Sequence, residues 1–126
     1  MTRATTYREI IRAADEAIAF QCSDLIKAME QDMQAAAGSI RVDGGAARDE
    51  FLLQFQADML NHDIERPDYV ESTALGAVRL AMLATGLAAK RGEGSKTFKP
   101  SMSEDERAEH LARWKKALQG VLDAAK

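Results

Sequence analysis

The chain has 126 residues, of which 46% are hydrophobic and 29% are charged, and its formal net charge is -3. These proportions are typical of one globular domain, and the negative charge gives no general attraction to nucleic acid or to anionic lipid. Cys22 is the only cysteine, which excludes an internal disulfide and a cysteine-based zinc site and suits a reducing cytoplasm. The composition therefore predicts a cytoplasmic protein without a nucleic-acid or membrane partner.

The first predicted element is a long amphipathic helix. Thr6 and Glu9 have the spacing of a capping box, which starts helices, and the helical pattern ends before Gly38. Apolar residues recur at intervals of three and four, so we expect them to pack into the core. This stripe consists of Ile11, Ala14, Ile18, Cys22, Leu25, Met29 and Met33.

A short strand follows and ends in a glycine turn. Ile40 and Val42 alternate with Arg41, and the segment Asp43-Gly44-Gly45-Ala46 leads into a second helical pattern from Arg48 to Leu60. A strand that turns into a helix at two glycines leaves backbone N–H groups unpaired where no Cβ keeps a phosphate away. This pattern predicts a nucleotide site, although a plain tight turn has the same sequence features.

A second strand and a third helix come next. The strand lies near Asp63 to Arg66 and stops at Pro67, because proline cannot donate to a strand ladder. The helix runs from about Ser72 to Thr85, inside an apolar stretch that extends to Ala89. We expect this stretch to be a buried helix rather than a membrane span, because it is interrupted by a charge and by glycines.

The chain closes with a connector and a fourth helix. Residues 90–97 are rich in Gly, Ser and charge, which predicts a flexible connector. The basic residues around it, Lys96 among them, are interpreted as a solvated loop. Ser103 and Glu106 form a second capping box, and Trp114 lies on the apolar stripe of the helix that follows.

The order of these elements predicts an α/β fold with four helices and two short parallel strands, joined by a right-handed crossover. Two parallel strands make a poor sheet, so we expect them to belong to a larger one. Their open edge and the uncovered helix faces predict a homo-oligomer, in which a second copy supplies the cover.

Several segments resemble, in order and spacing, the C-terminal part of glycerol kinases, a branch of the FGGY family of carbohydrate kinases. They are Arg41 to Ala46, Phe51 to Leu60, Glu65 to Pro67, Glu71 to Ala77 and, more loosely, Phe98 to Met102 and Trp114 to Ala117. The resemblance covers nearly the whole chain but only about the last quarter of such a kinase. It implies that residues 1–126 are the C-terminal portion of the nucleotide-binding domain, a partial actin-like (ribonuclease-H-like) domain without its first three strands.

The resemblance also implies ATP-dependent phosphorylation of glycerol, with Mg²⁺ in the complete enzyme. Gly45 matches the glycine that approaches the nucleotide phosphates, and Gly44 and Ala46 shape the same turn. Asp49 stands where relatives place an asparagine at the nucleoside. A carboxylate only accepts hydrogen bonds and adds negative charge, so binding of ATP or ADP by this chain alone is expected to be weak or absent. The alternative is that Asp49 and Glu50 only satisfy the helix N-terminus.

No catalytic or metal-binding residue is assigned, because the resemblance places the catalytic aspartate and the glycerol contacts upstream of Met1. Asp43 is interpreted as structural, with an indirect metal role as the alternative, and His62 and His110 lack partners at ligand spacing. Two functions stay open. The chain is either the nucleotide-side fragment of a glycerol kinase, inactive without the N-terminal kinase portion, or a non-catalytic interaction or scaffold module that pairs with itself or with another kinase polypeptide.

Overall fold

The computed structural model describes residues 2, 5–88 and 94–125. Within them the chain forms helices and strands in the order α1 Tyr7–Met33, β1 Ile40–Arg41, α2 Glu50–Leu60, β2 Ile64–Pro67, α3 Ser72–Ala84, β3 Ser95–Phe98 and α4 Glu104–Ala124. A short 3₁₀ helix, Gly45–Arg48, lies between β1 and α2. The second helical pattern is therefore split into a 3₁₀ turn and an α-helix that begins at Glu50.

Both predicted capping boxes are confirmed. The Glu9 carboxylate accepts a hydrogen bond from the Thr6 backbone N–H at 2.7 Å, and the Thr6 hydroxyl caps the first turn of α1. At the start of α4, Ser103 and Glu106 exchange the same pair of bonds. Because these bonds satisfy N–H groups that have no partner within the helix, both helices begin where the motifs place them.

The sheet is mixed and has the strand order β1-β2-β3. The parallel pairing of β1 with β2, with Ile40 opposite Ile64, confirms the predicted parallel strands. Strand β3 runs antiparallel to β2, with Phe98 opposite Ile64, and was not predicted. The connector assigned to 90–97 is therefore wrong from Ser95 onward, whereas 90–93 lie outside the described residues.

Strand β3 escaped prediction because only Phe98 of its four residues is buried, so the strand has no apolar alternation. Its position is instead determined by pairing with β2. Pro67 lies opposite Ser95 as the last residue of β2, where the missing N–H is tolerated at a strand end.

Helix α2 is the centre of the molecule and separates two apolar clusters. Toward α1 and α4 it contributes Leu52, Phe55 and Met59, and toward the sheet it contributes Leu53, Ala57 and Leu60. The first cluster also contains Ala19 and Phe20 of α1, and the second contains Ile64 and Phe98.

Trp114 of α4 packs against the first of these clusters, as its apolar position in the sequence indicated. Its ring stacks on Phe20 with the centroids 5.2 Å apart, and its Nε1–H donates to the Asp24 carboxylate at 2.8 Å. The indole therefore connects α4 to α1 through both its apolar and its polar part.

The apolar stripe predicted for α1 does not enter the core. Ala19, Phe20 and Ser23 form the buried face toward α2. The larger members of the stripe are between 47% and 61% exposed, and these are Ile11, Ile18, Leu25, Met29 and Met33. The prediction of burial is wrong for these residues, because the face that packs on α2 is built from small side chains and one aromatic ring instead.

Helix α3 is likewise not buried, contrary to prediction. None of its residues is buried, and Val78, Leu80 and Leu83 are more than half exposed. None of the helices in the described part of the chain combines the length and the apolar content that crossing a bilayer requires. Both α1 and α3 therefore present uncovered apolar faces.

Candidate functional site

The glycine turn follows β1, and Gly44 determines its shape. Gly44 has a φ of 86°, a left-handed conformation that side chains disfavour and glycine adopts freely. Its N–H donates to the Val70 carbonyl at 2.6 Å, which connects the turn to the segment before α3. The 3₁₀ helix then begins, with the Ala47 N–H bonded to the Gly44 carbonyl at 3.1 Å.

Gly45 has no comparable reason within the fold to be a glycine. Its φ is not positive, and a Cβ built on it would meet no atom within 4 Å. Gly45 and Ala46 are exposed, and no acceptor among the described residues takes a hydrogen bond from either backbone N–H. The turn therefore presents two unpaired donors beside an open space that a side chain would fill.

Asp49 closes the turn and caps α2. Its N–H donates to the Ala46 carbonyl at 3.1 Å, so the four predicted site residues lie in one turn. Its Oδ1 accepts from the N–H groups of Phe51 and Leu52, at 2.9 and 3.1 Å. Asp49 thus satisfies the helix N-terminus, which was the alternative interpretation, while a contact with a nucleoside stays a prediction.

The acid beside it, Glu50, is paired with two cations. Its Oε1 accepts from Lys96 Nζ at 2.7 Å and from Arg66 at 3.3 Å. The hydrogen bond from Lys96 is the largest cause of a pKa that lies below the ordinary value for Glu50. Lys96 lies on β3, so the interpretation of this residue as part of a solvated loop is wrong.

Arg66 was missed as a site residue. Its guanidinium reaches the 3₁₀ helix and donates to the Ala47 carbonyl at 3.2 Å. The sequence signal was its place in the segment Glu65 to Pro67, which ends a predicted strand parallel to β1. Because the carboxyl ends of parallel strands lie at one edge of the sheet, an arginine at the end of β2 comes close to the glycine turn that follows β1.

A cavity of about 270 Å³ borders the same edge of the sheet. It is lined by residues from the ends of β1 and β2 and from α3, among them Asp43, Asp68, Tyr69, Ser72 and Arg79. Asp43 thus faces a cavity next to the turn. No group of three potential metal-ligating side chains occurs among the residues that the structure describes.

The two histidines have other partners. His62 Nε2 lies 2.8 Å from Glu30 Oε1, and its Nδ1 lies 2.8 Å from the Asn61 carbonyl. His110 packs edge-on against Phe55, with the ring centroids 5.6 Å apart. Both side chains connect elements of the fold, and none of these interactions involves the glycine turn.

The glycine turn lies in a region that matches a known family. A family model described as the C-terminal domain of the FGGY family of carbohydrate kinases matches residues 1–85. The chain belongs to the FGGY family. Curated relatives include the glycerol kinase of Dechloromonas aromatica, which is 47% identical over 97% of this chain, and that of Bacillus subtilis, which is 41% identical over 97%. The chain spans about a quarter of the length of these FGGY proteins, 26% in both cases.

Solved FGGY structures share the fold. A Plasmodium falciparum glycerol kinase with ADP aligns with a TM-score of 0.77 and 30% identity, covering 94% of this chain and 25% of that one. A protein of Brucella ovis described as a xyloylose kinase aligns with a TM-score of 0.75 and 25% identity, covering 100% of this chain and 27% of that one. The predicted fold class, an α/β layer of the actin-like type, is thereby confirmed.

Proposed function

We propose that this chain forms the nucleotide-side part of an ATP-dependent glycerol kinase. The observation that carries the proposal is the 47% identity to a glycerol kinase over 97% of the chain. Glycerol is proposed as the substrate because the relatives from D. aromatica and B. subtilis are both named glycerol kinases. ADP is proposed as a ligand because the P. falciparum relative was solved with it.

The glycine turn is the proposed contact for the nucleotide phosphates. The unpaired N–H groups of Gly45 and Ala46 supply donors, and the open space at Gly45 admits a phosphate. Asp49 is proposed to lie at the nucleoside. Mg²⁺ accompanies the nucleotide in kinase chemistry, but the described residues offer no cluster of three ligands that would hold it.

Phosphoryl transfer by the chain alone is not expected. The reaction needs a cradle for the phosphates, a metal ion and a base that accepts the substrate proton, and the glycine turn supplies only part of the first. The test is glycerol-dependent release of ADP by the purified chain, with Gly45→Arg as the control for a contaminating host kinase. We expect no release. Release that depends on both glycerol and protein and disappears in Gly45→Arg would contradict the proposal.

Weak binding of ADP at the turn tests the nucleotide part of the proposal. We expect ADP to shift the amide resonances of Gly44, Gly45, Ala46 and Asp49. Asp49→Asn should tighten binding, because asparagine caps a helix about as well as aspartate, removes a negative charge and adds a donor. Amide shifts centred instead near Lys96 and Lys99 would place the ligand elsewhere.

A non-catalytic interaction module is the second candidate, and the exposed apolar faces of α1 and α3 favour it. Contiguous apolar surface of this kind is typical of contacts with another polypeptide. The partner is proposed to be either further kinase polypeptide, corresponding to the length that the relatives have beyond this chain, or a second copy of the chain.

A further inference from the structure

Arg66 connects three parts of the site with one side chain. It extends from β2, donates through Nη1 to the Ala47 carbonyl of the 3₁₀ helix at 3.2 Å, and donates through Nη2 to Glu50 Oε1 at 3.3 Å. Its guanidinium also lies over the Phe98 ring, 5.5 Å from the centroid. The side chain is only 20% exposed, so packing restricts its orientation as well as hydrogen bonding does.

Lys96 shares two of these partners but not the third. Its Nζ donates to the same Glu50 oxygen and lies 5.0 Å from the centroid of the same Phe98 ring. Its described contacts do not include the 3₁₀ helix. The difference between the two cations is therefore the bond from Arg66 to Ala47.

The Ala47 carbonyl belongs to the turn that contains the unpaired N–H groups of Gly45 and Ala46. Ala47 is 3% exposed, and the bonds from the Ala47 N–H to the Gly44 carbonyl and from the Asp49 N–H to the Ala46 carbonyl join the peptide groups of this turn. Fixing the Ala47 carbonyl therefore restricts the peptide groups on either side of it. The segment after β2 holds the turn at a second point, because the Val70 carbonyl accepts from the Gly44 N–H. The turn is thus held at both ends by residues 66–70.

We propose that Arg66 is a positioning residue for nucleotide binding, which fixes the glycine turn so that the N–H groups of Gly45 and Ala46 converge on one phosphate. The planar guanidinium donates in two directions at once, which a flexible ammonium does not reproduce. This inference rests on the proposed function for its ligand. The geometry of the turn, however, can be tested without any nucleotide.

The test compares Arg66→Met with Lys96→Met in the full 126-residue chain. Both substitutions remove a cation from Glu50 and leave an apolar side chain near Phe98, but only the first removes the bond to Ala47. Amide hydrogen exchange is measured at Ala47 and Asp49, whose N–H groups make the hydrogen bonds of the turn. The rates are expressed relative to the amide of Met59 in α2, so that a general loss of stability cancels.

We expect the relative exchange rate at Ala47 and Asp49 to rise about tenfold in Arg66→Met, as the loss of a charged hydrogen bond predicts, and to change less than about twofold in Lys96→Met. In the same samples the Kd for ADP with Mg²⁺ should rise about tenfold only in Arg66→Met. If Arg66→Met does not fold, Arg66→Lys replaces it, with an increase in relative exchange again expected because the planar fork is lost.

Equal relative exchange in the Arg66 and Lys96 variants would overturn the positioning role, whatever ADP does. Faster exchange in the Arg66 variant with an unchanged Kd for ADP would also overturn it, since the turn would then not position the nucleotide. Absence of any ADP response in the unsubstituted chain would instead contradict the proposed nucleotide site. In that case the exchange rates would still show whether Arg66 holds the turn.

Discussion

Gly44 and Gly45 are adjacent in the turn but are glycines for different reasons. The left-handed φ of Gly44 excludes an unstrained side chain, whereas neither the conformation nor the surroundings of Gly45 do so. The first glycine therefore serves the fold, whereas neither conformation nor packing among the described residues requires the second, as the proposed approach of a phosphate to Gly45 would predict.

Alanine substitution at the two glycines should separate these roles. Gly44→Ala should lower the free energy of unfolding by about 1 to 3 kcal/mol, because its backbone, at φ 86° and ψ 178°, lies in a region that is almost exclusive to glycine. Gly45→Ala should leave it unchanged or raise it by up to about 1 kcal/mol, because alanine restricts the unfolded chain. Urea unfolding measures both. Equal destabilisation by the two substitutions would mean that Gly45 is also required by the fold.

The sequence predicted the position of the turn but not what supports it. The sequence predicts the turn because its residues lie within six positions of one another, so that one local pattern identifies them all. They are Gly44, Gly45, Ala46 and Asp49. Arg66 acts on the turn from 19 residues away, as the sequence separation from Ala47 shows, and no local pattern indicates which carbonyl an arginine reaches. Likewise, the capping role of Asp49 was one of two interpretations until the direction of its carboxylate was known.

His62 makes a pH-dependent connection between α1 and the end of α2. Both ring nitrogens lie 2.8 Å from oxygen atoms, so both can donate only when the imidazole is protonated. The hydrogen bond to the Asn61 carbonyl, and then that to Glu30, raise the pKa of His62 above its ordinary value of 6.5. The partner Glu30 has a lowered pKa, chiefly because it accepts from the Ala37 N–H.

Stability should therefore fall as the pH rises from about 6 to about 8. A raised pKa in the folded state means that the stabilisation by His62 is fully present below 6.5 and is lost as the pH rises through the folded value. Urea midpoints across this range measure the effect, and His62→Asn should flatten the profile. Glu30 contributes in the opposite direction, since its stabilisation is lost only as the pH falls below its ordinary value of 4.5. An unchanged slope in His62→Asn would assign the pH dependence to another group.

At the level of the elements, Asp58 connects α2 to the segment that leads into α4. Its buried carboxylate accepts from the Ser101 N–H at 2.6 Å and from the Met102 N–H at 3.1 Å. Arg107 of α4 completes the connection by donating to the backbone carbonyls of Asp58 and Met102. The start of α4 is thus held by polar bonds, and Trp114 holds the helix further along.

Asp58→Ala should lower the free energy of unfolding by about 2 to 3 kcal/mol, because it leaves two backbone donors without their acceptor. The only tryptophan, Trp114, reports the docking of α4, so its fluorescence should shift to the red before the rest of the chain unfolds. Asp105→Asn, at an exposed position in the first turn of α4, is the control and should change neither quantity. A native emission spectrum at full stability in Asp58→Ala would show that Trp114 alone docks the helix.

The elements differ in how far the sequence predicts them. Helices α1 and α4 begin at capping boxes, which depend on neighbouring residues only, and both starts are confirmed. Strand β3 depends on pairing with β2, about thirty residues earlier, and has no pattern of its own. Periodicity identifies the apolar stripe of α1, but it does not show whether another element of the same chain covers that stripe. The hydrophobic periodicity does not identify the face that packs on α2, because alanine and serine occupy part of that face.

At the scale of the whole molecule, the most prominent feature is the exposed sheet edge and the exposed apolar surface of two helices. Strand β1 lies at the end of the strand order, and in the part of the chain that the structure describes the larger members of the α1 stripe and the apolar residues of α3 are exposed. An open sheet edge and a large apolar surface both favour association. The prediction of a homo-oligomer follows from these surfaces.

Sedimentation should show a concentration-dependent dimer or larger species at micromolar concentration. Leu25→Gln, in the α1 stripe, should weaken the association constant about tenfold or more, because each dimer loses two buried leucines. Val121→Gln changes a similarly exposed residue of α4 outside the stripe and is the matched control. A compact monomer with protected amides across 40–43 would contradict the prediction.

The stripe of α1 also determines how such an association would respond to temperature and salt. Contacts between apolar side chains weaken on cooling and strengthen in sulfate, because their driving force comes from water and not from directional bonds. Pairing through the edge of β1 would depend mainly on backbone hydrogen bonds and should respond less to either change. A dimer that dissociates in the cold and returns on addition of ammonium sulfate would therefore identify the side of α1 facing away from α2 as its interface.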